Sequence, residues 1–188
     1  YIYSLVDQNL NDLMTIIEWN YKNNIFLYRM SSETFPFFTH KDYCDKLDIN
    51  KYIDKLKDIG ELAKKYKIRL TYHTCHFTVL SSQNETTIVN SITDLNFHTN
   101  IMDIMGLDEN SVIVIHLGSK NPTKEKSILR FKDNFNRLST SCKNRLVLEN
   151  CELCYTVADL FPVCNELGIG LVLDIHHNNL NPSEFNIQ

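Results

Sequence analysis

Amphipathic stretches with apolar residues at helical spacing alternate along the chain with short, β-branched apolar runs, and each run ends in a polar residue. Leu5, Leu10, Leu13, Ile16, Ile17 and Asn20 predict a first helix over about residues 5–23, which yields to a strand at 25–30. Asn23 and Asn24 supply the turn. After a loop containing Pro36, residues 49–66 read as a second helix, with Ile53, Leu56, Ile59, Leu62 and Ala63 inward and the lysines outward, leading to a strand at 68–73. A third helix over 85–105, closed by Gly106, hands over to the most apolar strand, 111–116. Pro122 opens a fourth helical region ending near Leu138, followed by a strand at 145–149. A helix over 157–167, stopped by Gly168, then precedes a strand over 170–177.

Near-continuous apolar strands are what a parallel sheet covered on both faces requires, and strand–helix–strand repeats with short connections predict right-handed crossovers. An open doubly wound sheet and a barrel both fit that order. The polar strand ends decide between them, because in a barrel every strand's C-terminal end points to a common centre. Here the ends carry Ser31 and Ser32, His73, His116, Glu149, and Asp174 with His177. The fold class expected is therefore α/β, a TIM (β/α)8 barrel with about five βα units present, and residues 1–188 are expected to form a single, partial catalytic domain. Tyr1 at the start and Gln188 soon after a strong strand pattern give both ends a cut look, and a complete barrel usually needs about 250 residues.

Composition adds bounds. The 188 residues are 43% hydrophobic and 22% charged, which is globular, and 19 Lys+Arg against 23 Asp+Glu give a net charge of −4. That excludes a uniformly basic nucleic-acid coat and leaves room for a local basic groove. No apolar run approaches the roughly 20 residues needed to cross a bilayer, and no secretory leader pattern opens the chain, so a soluble, intracellular protein is expected, in cytoplasm, nucleoid or nucleus. The six cysteines lack a disulfide framework; Cys151 and Cys154 form a lone CxxC, half of what a zinc ribbon needs. No GxGxxG or GxxxxGK[ST] offers a nucleotide-phosphate cradle.

His73, His116, Glu149, Asp174 and His177 are separated by whole βα units, yet a barrel would gather them in one pocket. Imidazole and carboxylate suit Zn, Mn or Fe(II) better than Ca, and a mixed set of this size points to more than one ion. Paired ions would serve phosphodiester hydrolysis by clamping the attacking and leaving oxygens. The same ligands would serve a sugar isomerase or epimerase by polarising hydroxyl and carbonyl oxygens, so the ligand set alone leaves both classes open.

The motifs carry a resemblance. Residues 29–37, RMSSETFPF, resemble the RISSxLFP segment of UV DNA damage endonucleases of the UvdE family. Residues 69–80, RLTYHTCHFTVL, stand where that family has a strand ending in HPxQF or HPxQY. Asn90-Ser91-Ile92 and the stretch 102–108 resemble its next helix and MGLD turn, and residues 112–118 resemble its VIVIHxGG. Arg130-Phe131 leads toward residues 145–150, similar to RLVLEND, and residues 174–177 resemble DIHHH. The resemblance spans nearly the whole chain. It implies a TIM-barrel DNA repair endonuclease, related in fold to endonuclease IV-type enzymes, that nicks damaged double-stranded DNA 5′ to UV photoproducts with up to three divalent ions. Manganese is the first expectation, with zinc, magnesium and cobalt as alternatives. By motif, His73, His116, Glu149, Asp174 and His177 would be the metal ligands, with Glu149 and His116 central to catalysis. A monomer without an obligate protein partner or membrane is implied.

Two departures stand out. Where the family has HPxQ, this chain has His73-Thr74-Cys75-His76, so the loop proline and the glutamine are replaced; His76 and Phe77 would still stack on an unstacked base. The family's first strand and its last strands, with further ligands, have no counterpart, which raises the competing expectation of a truncated, non-catalytic DNA-binding fragment. Lys55, Lys57, Lys64, Lys65 and Lys67 read as a solvated helix face, whereas Lys120, Lys124 and Lys126 occupy a rim loop where a phosphate contact is expected at Lys120. Ser31 and Ser32 would bond a phosphate oxygen or cap a turn.

Overall fold

A computed structural model describes residues 1–184. Among the described residues there are five strands and seven α-helices, two helices more than the sequence pattern predicts: α1 Ile2–Lys22, β1 Leu27–Met30, α2 Ile53–Lys65, β2 Arg69–His73, α3 Glu85–Ile104, β3 Ile113–His116, α4 Lys124–Phe135, α5 Thr140–Arg145, β4 Leu146–Glu149, α6 Val157–Leu167, β5 Gly170–Val172 and α7 Ile175–Leu180. The contacts divide the described chain into two compact units, residues 1–73 with 97–112 and residues 74–96 with those from 113 onward.

In the first unit β1 and β2 pair in parallel, with Leu27 opposite Arg69 and Met30 opposite Tyr72. The inward stripe of α1, Val6, Leu10, Leu13 and Ile17, is buried, as are Leu56, Ile59 and Ala63 of α2. Gly60 fits here because a Cβ would lie 1.8 Å from the carbonyl oxygen of Met105; the backbones approach too closely for any side chain. Phe35 sits at 5.2, 5.6 and 5.9 Å, ring to ring, from Phe38, Tyr52 and Phe97, in edge-on contacts that bury the loop after β1. Tyr52 is itself buried, and that burial, with Asp7 nearby, pushes its phenol up to about 12.

In the second unit β3, β4 and β5 pair in parallel, with His116 opposite Glu149 and Glu149 opposite Val172. Every residue of β4 is buried, as the apolar pattern predicts for a strand covered on both faces. β5 departs from that pattern and remains partly exposed. Among the described residues it pairs with β4 alone, so one flank has no strand against it. Phe131, Leu148, Tyr155 and Leu160 are among the buried side chains of this unit.

Beyond shifts of one to three residues at other ends, three boundaries differ in kind from the pattern. The first turn of the second predicted helix, Ile49–Tyr52, is 3₁₀, with the Asp48 side chain accepting the Asn50 N–H. The fourth helical region ends at Phe135, and α5 follows it, capped by the Ser139 hydroxyl at the Cys142 N–H. The last strand ends at Val172 rather than at residue 177: Asp174 leaves the sheet and caps α7 instead.

Candidate metal centre

The polar groups at the strand ends of the second unit converge. Glu149, the last residue of β4, is 2% exposed, so its carboxylate is buried at the end of an otherwise apolar strand. A buried carboxylate needs partners or a cation to offset its lost hydration. Glu149, Asp174 and His177 each offer a ligand atom within 4.8 Å of the others. His116 stands opposite Glu149 in the register, with its Nε2 3.6 Å from Glu149 Oε2, and its ring centroid lies 5.7 Å from that of His177.

The backbone orients both rings. Nδ1 of His116 meets the carbonyl oxygen of Glu149 at 3.3 Å, and Nδ1 of His177 meets the carbonyl oxygen of Asn150 at 3.0 Å. A carbonyl only accepts, so each ring places its proton on Nδ1 and leaves the Nε2 lone pair available as a ligand. Two adjacent carbonyls thus fix the tautomers of two histidines from different elements.

Asp174 and His177 are joined by a helix start. Asp174 has extended backbone (φ −86°, ψ 112°), and its Oδ1 accepts the His177 N–H at 2.8 Å. The Asp-x-x-His spacing is therefore an N-cap and the third helical residue, which turns both side chains to one side. That backbone N–H, helped by the His177 and His176 imidazoles and the His176 N–H against some burial cost, holds the Asp174 carboxyl below the usual carboxylate range. An ionised aspartate beside a buried glutamate and two imidazoles whose Nε2 atoms face carboxylates is a donor set that fits a divalent transition ion.

A sequence model of the family described as UV-endonuclease UvdE matches residues 1–188. The chain belongs to the UvdE family. The UV-damage endonuclease of Schizosaccharomyces pombe is 41% identical to it over 179 residues, which cover 93% of this chain and 30% of that protein. The crystal structure of SacUVDE superposes with a TM-score of 0.92 at 32% identity, covering 99% of this chain and 63% of the other. This UvdE-family chain thus spans less than two thirds of each. A D-psicose 3-epimerase from Clostridium cellulolyticum H10 matches with a TM-score of 0.68 at 14% identity, covering 93% of this chain and 62% of the epimerase, a likeness of fold alone. The fold class is accordingly α/β of the TIM-barrel type.

Of the remaining residues singled out in this UvdE-family sequence, His73 is the half-buried last residue of β2, in the first unit. Ser31 and Ser32 also lie in the first unit, where the Ser31 hydroxyl accepts the Glu33 N–H at 3.1 Å and so caps a one-turn 3₁₀ helix. In the second unit His76 and Phe77 form an exposed loop tip, Phe77 at 86% exposure. That loop is tied down beneath the tip by Thr78, whose hydroxyl donates to Asp94 Oδ2 at 3.0 Å, and by the Val79 N–H on Ser91 Oγ at 2.8 Å. Gly118 (φ +109°) is required beside it, since a Cβ would fall 2.6 Å from Ser81 Oγ and 2.8 Å from Val79 Cγ1.

Lys120 is exposed and its ammonium donates to the Leu153 carbonyl, whereas Lys124 pairs with Asp159 at 2.7 Å. Cys151 Sγ accepts the Cys154 and Tyr155 N–H groups at 3.1 and 3.2 Å and shapes the turn after β4. Two residues beside the site have no role assigned by the motif reading. Asn150, 0% exposed, brackets the backbone of Asp174, and Glu152 places Oε2 3.7 Å from His177 Nε2. Asn150 closes the RLVLEND-like segment, and Glu152 stands three residues after Glu149; neither position by itself signals a role.

Proposed function

We propose that the chain is the metal-binding part of a DNA repair endonuclease that hydrolyses the phosphodiester 5′ to UV photoproducts. The observation that carries this reading is the convergence of Glu149, Asp174, His177 and His116 in a chain of the UvdE family. His73, at the end of β2, joins the ligand set on the strength of its motif. Manganese is the ion first expected, with zinc, magnesium and cobalt as alternatives and up to three ions in the complete site.

A divalent ion held by such ligands would lower the pKa of water and neutralise charge developing on a phosphoryl group. The residues themselves do the positioning. Glu149 and Asp174 supply two negative charges, which without cations would repel a polyanion; they therefore serve to concentrate cations rather than to touch the phosphate. The Glu149 and Asn150 carbonyls keep Nδ1 of His116 and His177 protonated, so neither ring needs to lose that proton to bind an ion through Nε2. His76 and Phe77 present imidazole and phenyl faces at an exposed tip, where they would stack on a base displaced at a distorted step. Lys120, and Ser31 and Ser32 in the other unit, are assigned to backbone phosphates. The site belongs to an intracellular, monomeric protein whose partner is damaged duplex DNA.

The test is nicking of supercoiled plasmid, UV-irradiated against unirradiated, with Mn2+ or with EDTA. The expected result is relaxed circles only from irradiated DNA with metal present. Equal nicking of both plasmids would overturn the lesion assignment, and turnover of ketohexoses without nicking would move the chain to the epimerase class.

A further inference from the structure

Asn150 donates no atom to the ligand set, yet it is fully buried and committed on three sides. Its Oδ1 accepts the Asp174 N–H at 2.7 Å, its Nδ2 donates to the Asp174 carbonyl at 3.0 Å, and its own carbonyl faces His177 Nδ1 at 3.0 Å. Only a side-chain amide offers an acceptor and a donor together to both polar groups of one residue's backbone. The bracket pins Asp174 just after β5 has ended at Val172, where no strand register remains to hold it. From there Asp174 Oδ1 takes the His177 N–H, and Oδ2 lies 3.7 Å from His177 Nδ1.

We propose that Asn150 is the positioning residue of the ion site: through its paired amide bonds to Asp174 and its carbonyl on His177 it holds two ligands, the N-cap and the third residue of α7, in register with Glu149. The proposal rests on the metal reading above. Carboxamide and carbonyl partners that orient ligands typically contribute about 10–100-fold to metal affinity, a large effect for a residue that never meets the ion.

The experiment is titration of Mn2+ into the ion-free chain, followed by calorimetry, for wild type, N150A, N150L, D174A and N150A/D174A, with unfolding in EDTA recorded alongside. Wild type is expected to bind, and N150A and N150L to bind about 10–100-fold more weakly. In the D174A background the N150A change should shrink to within about twofold, because the two act as one unit. Wild-type affinity in folded N150A and N150L, or an undiminished N150A effect in the D174A background, overturns the proposal while leaving the ion site standing. Failure of wild type itself to take up Mn2+ overturns the ion site and the Asn150 role together. A readout on wild type needs no variant to fold: nitrogen chemical shifts should report His177 as the Nδ1–H tautomer, with Nε2 the nitrogen that moves on addition of Zn2+. An Nε2–H tautomer in the ion-free chain overturns the proposal.

Discussion

His116 engages Glu149 at both ends of its ring, Nδ1 on the backbone carbonyl at 3.3 Å and Nε2 toward the side-chain carboxylate at 3.6 Å. The first contact fixes the ring and survives any substitution at position 149; the second depends on the charge there. Glu149→Gln keeps the volume of a side chain that is 2% exposed. The expected outcome is a loss of nicking of more than about 100-fold with an unchanged far-UV circular dichroism spectrum, read on irradiated plasmid with Mn2+. Unchanged nicking would remove Glu149 from the site.

Phe77 offers the opposite combination. At 86% exposure it contributes little to folding, so Phe77→Ala should leave the unfolding midpoint within about 0.5 kcal/mol of wild type. Loss of one base–aromatic stack should weaken binding to irradiated duplex by about 1–3 kcal/mol, measured by fluorescence anisotropy. Equal affinity for irradiated DNA in both proteins would show that the loop tip meets no base.

The capping box of α6 sets a pH dependence. Burial pushes the Asp159 carboxyl up, but the Lys124 ammonium at 2.7 Å and the Thr156 N–H and hydroxyl outweigh it and hold it below the usual carboxylate range. A depressed folded pKa stabilises the fold above the ordinary aspartate range, near pH 4, and that contribution is lost as pH falls through the folded pKa. Urea midpoints from pH 5 downward should fall more steeply for wild type than for Asp159→Asn. Parallel slopes would sever this pair from acid stability.

Gly118→Ala should destabilise the chain by about 1–3 kcal/mol, because φ of +109° is strained for any side chain and the new methyl would press on Ser81 and Val79. Thermal unfolding checks it. A stabilised variant would mean that the loop after β3 shifts without cost.

The helices were legible because burial on one face imposes a period of 3.6, and the strands because a sheet covered on both faces makes them short continuous apolar runs; Glu149 and His116 stood out because a charged or imidazole side chain at the end of an apolar run has no packing reason to be there. The pattern places Asp174 in a strand because its flanks, Val172, Leu173 and Ile175, are apolar; nothing local distinguishes a polar strand end from the N-cap of a helix only six residues long. α5 escaped for the same reason of length. Asn150 was silent in a deeper way. Its role lies in two bonds to a residue 24 positions on, and no spacing rule encodes the pairing of a side-chain amide with a distant backbone.

The register of the second unit aligns His116, Glu149 and Val172 on one rung. Length changes in the turn between α4 and α5, at residues 136–139, therefore leave that rung intact, since the strands enter the sheet from the far end. A single deletion inside β4 is another matter: it turns the carboxylate to the opposite face and puts an apolar neighbour in its place. The four buried residues of β4 tolerate no change in number, so the chemistry of the site is guarded by counting as much as by charge.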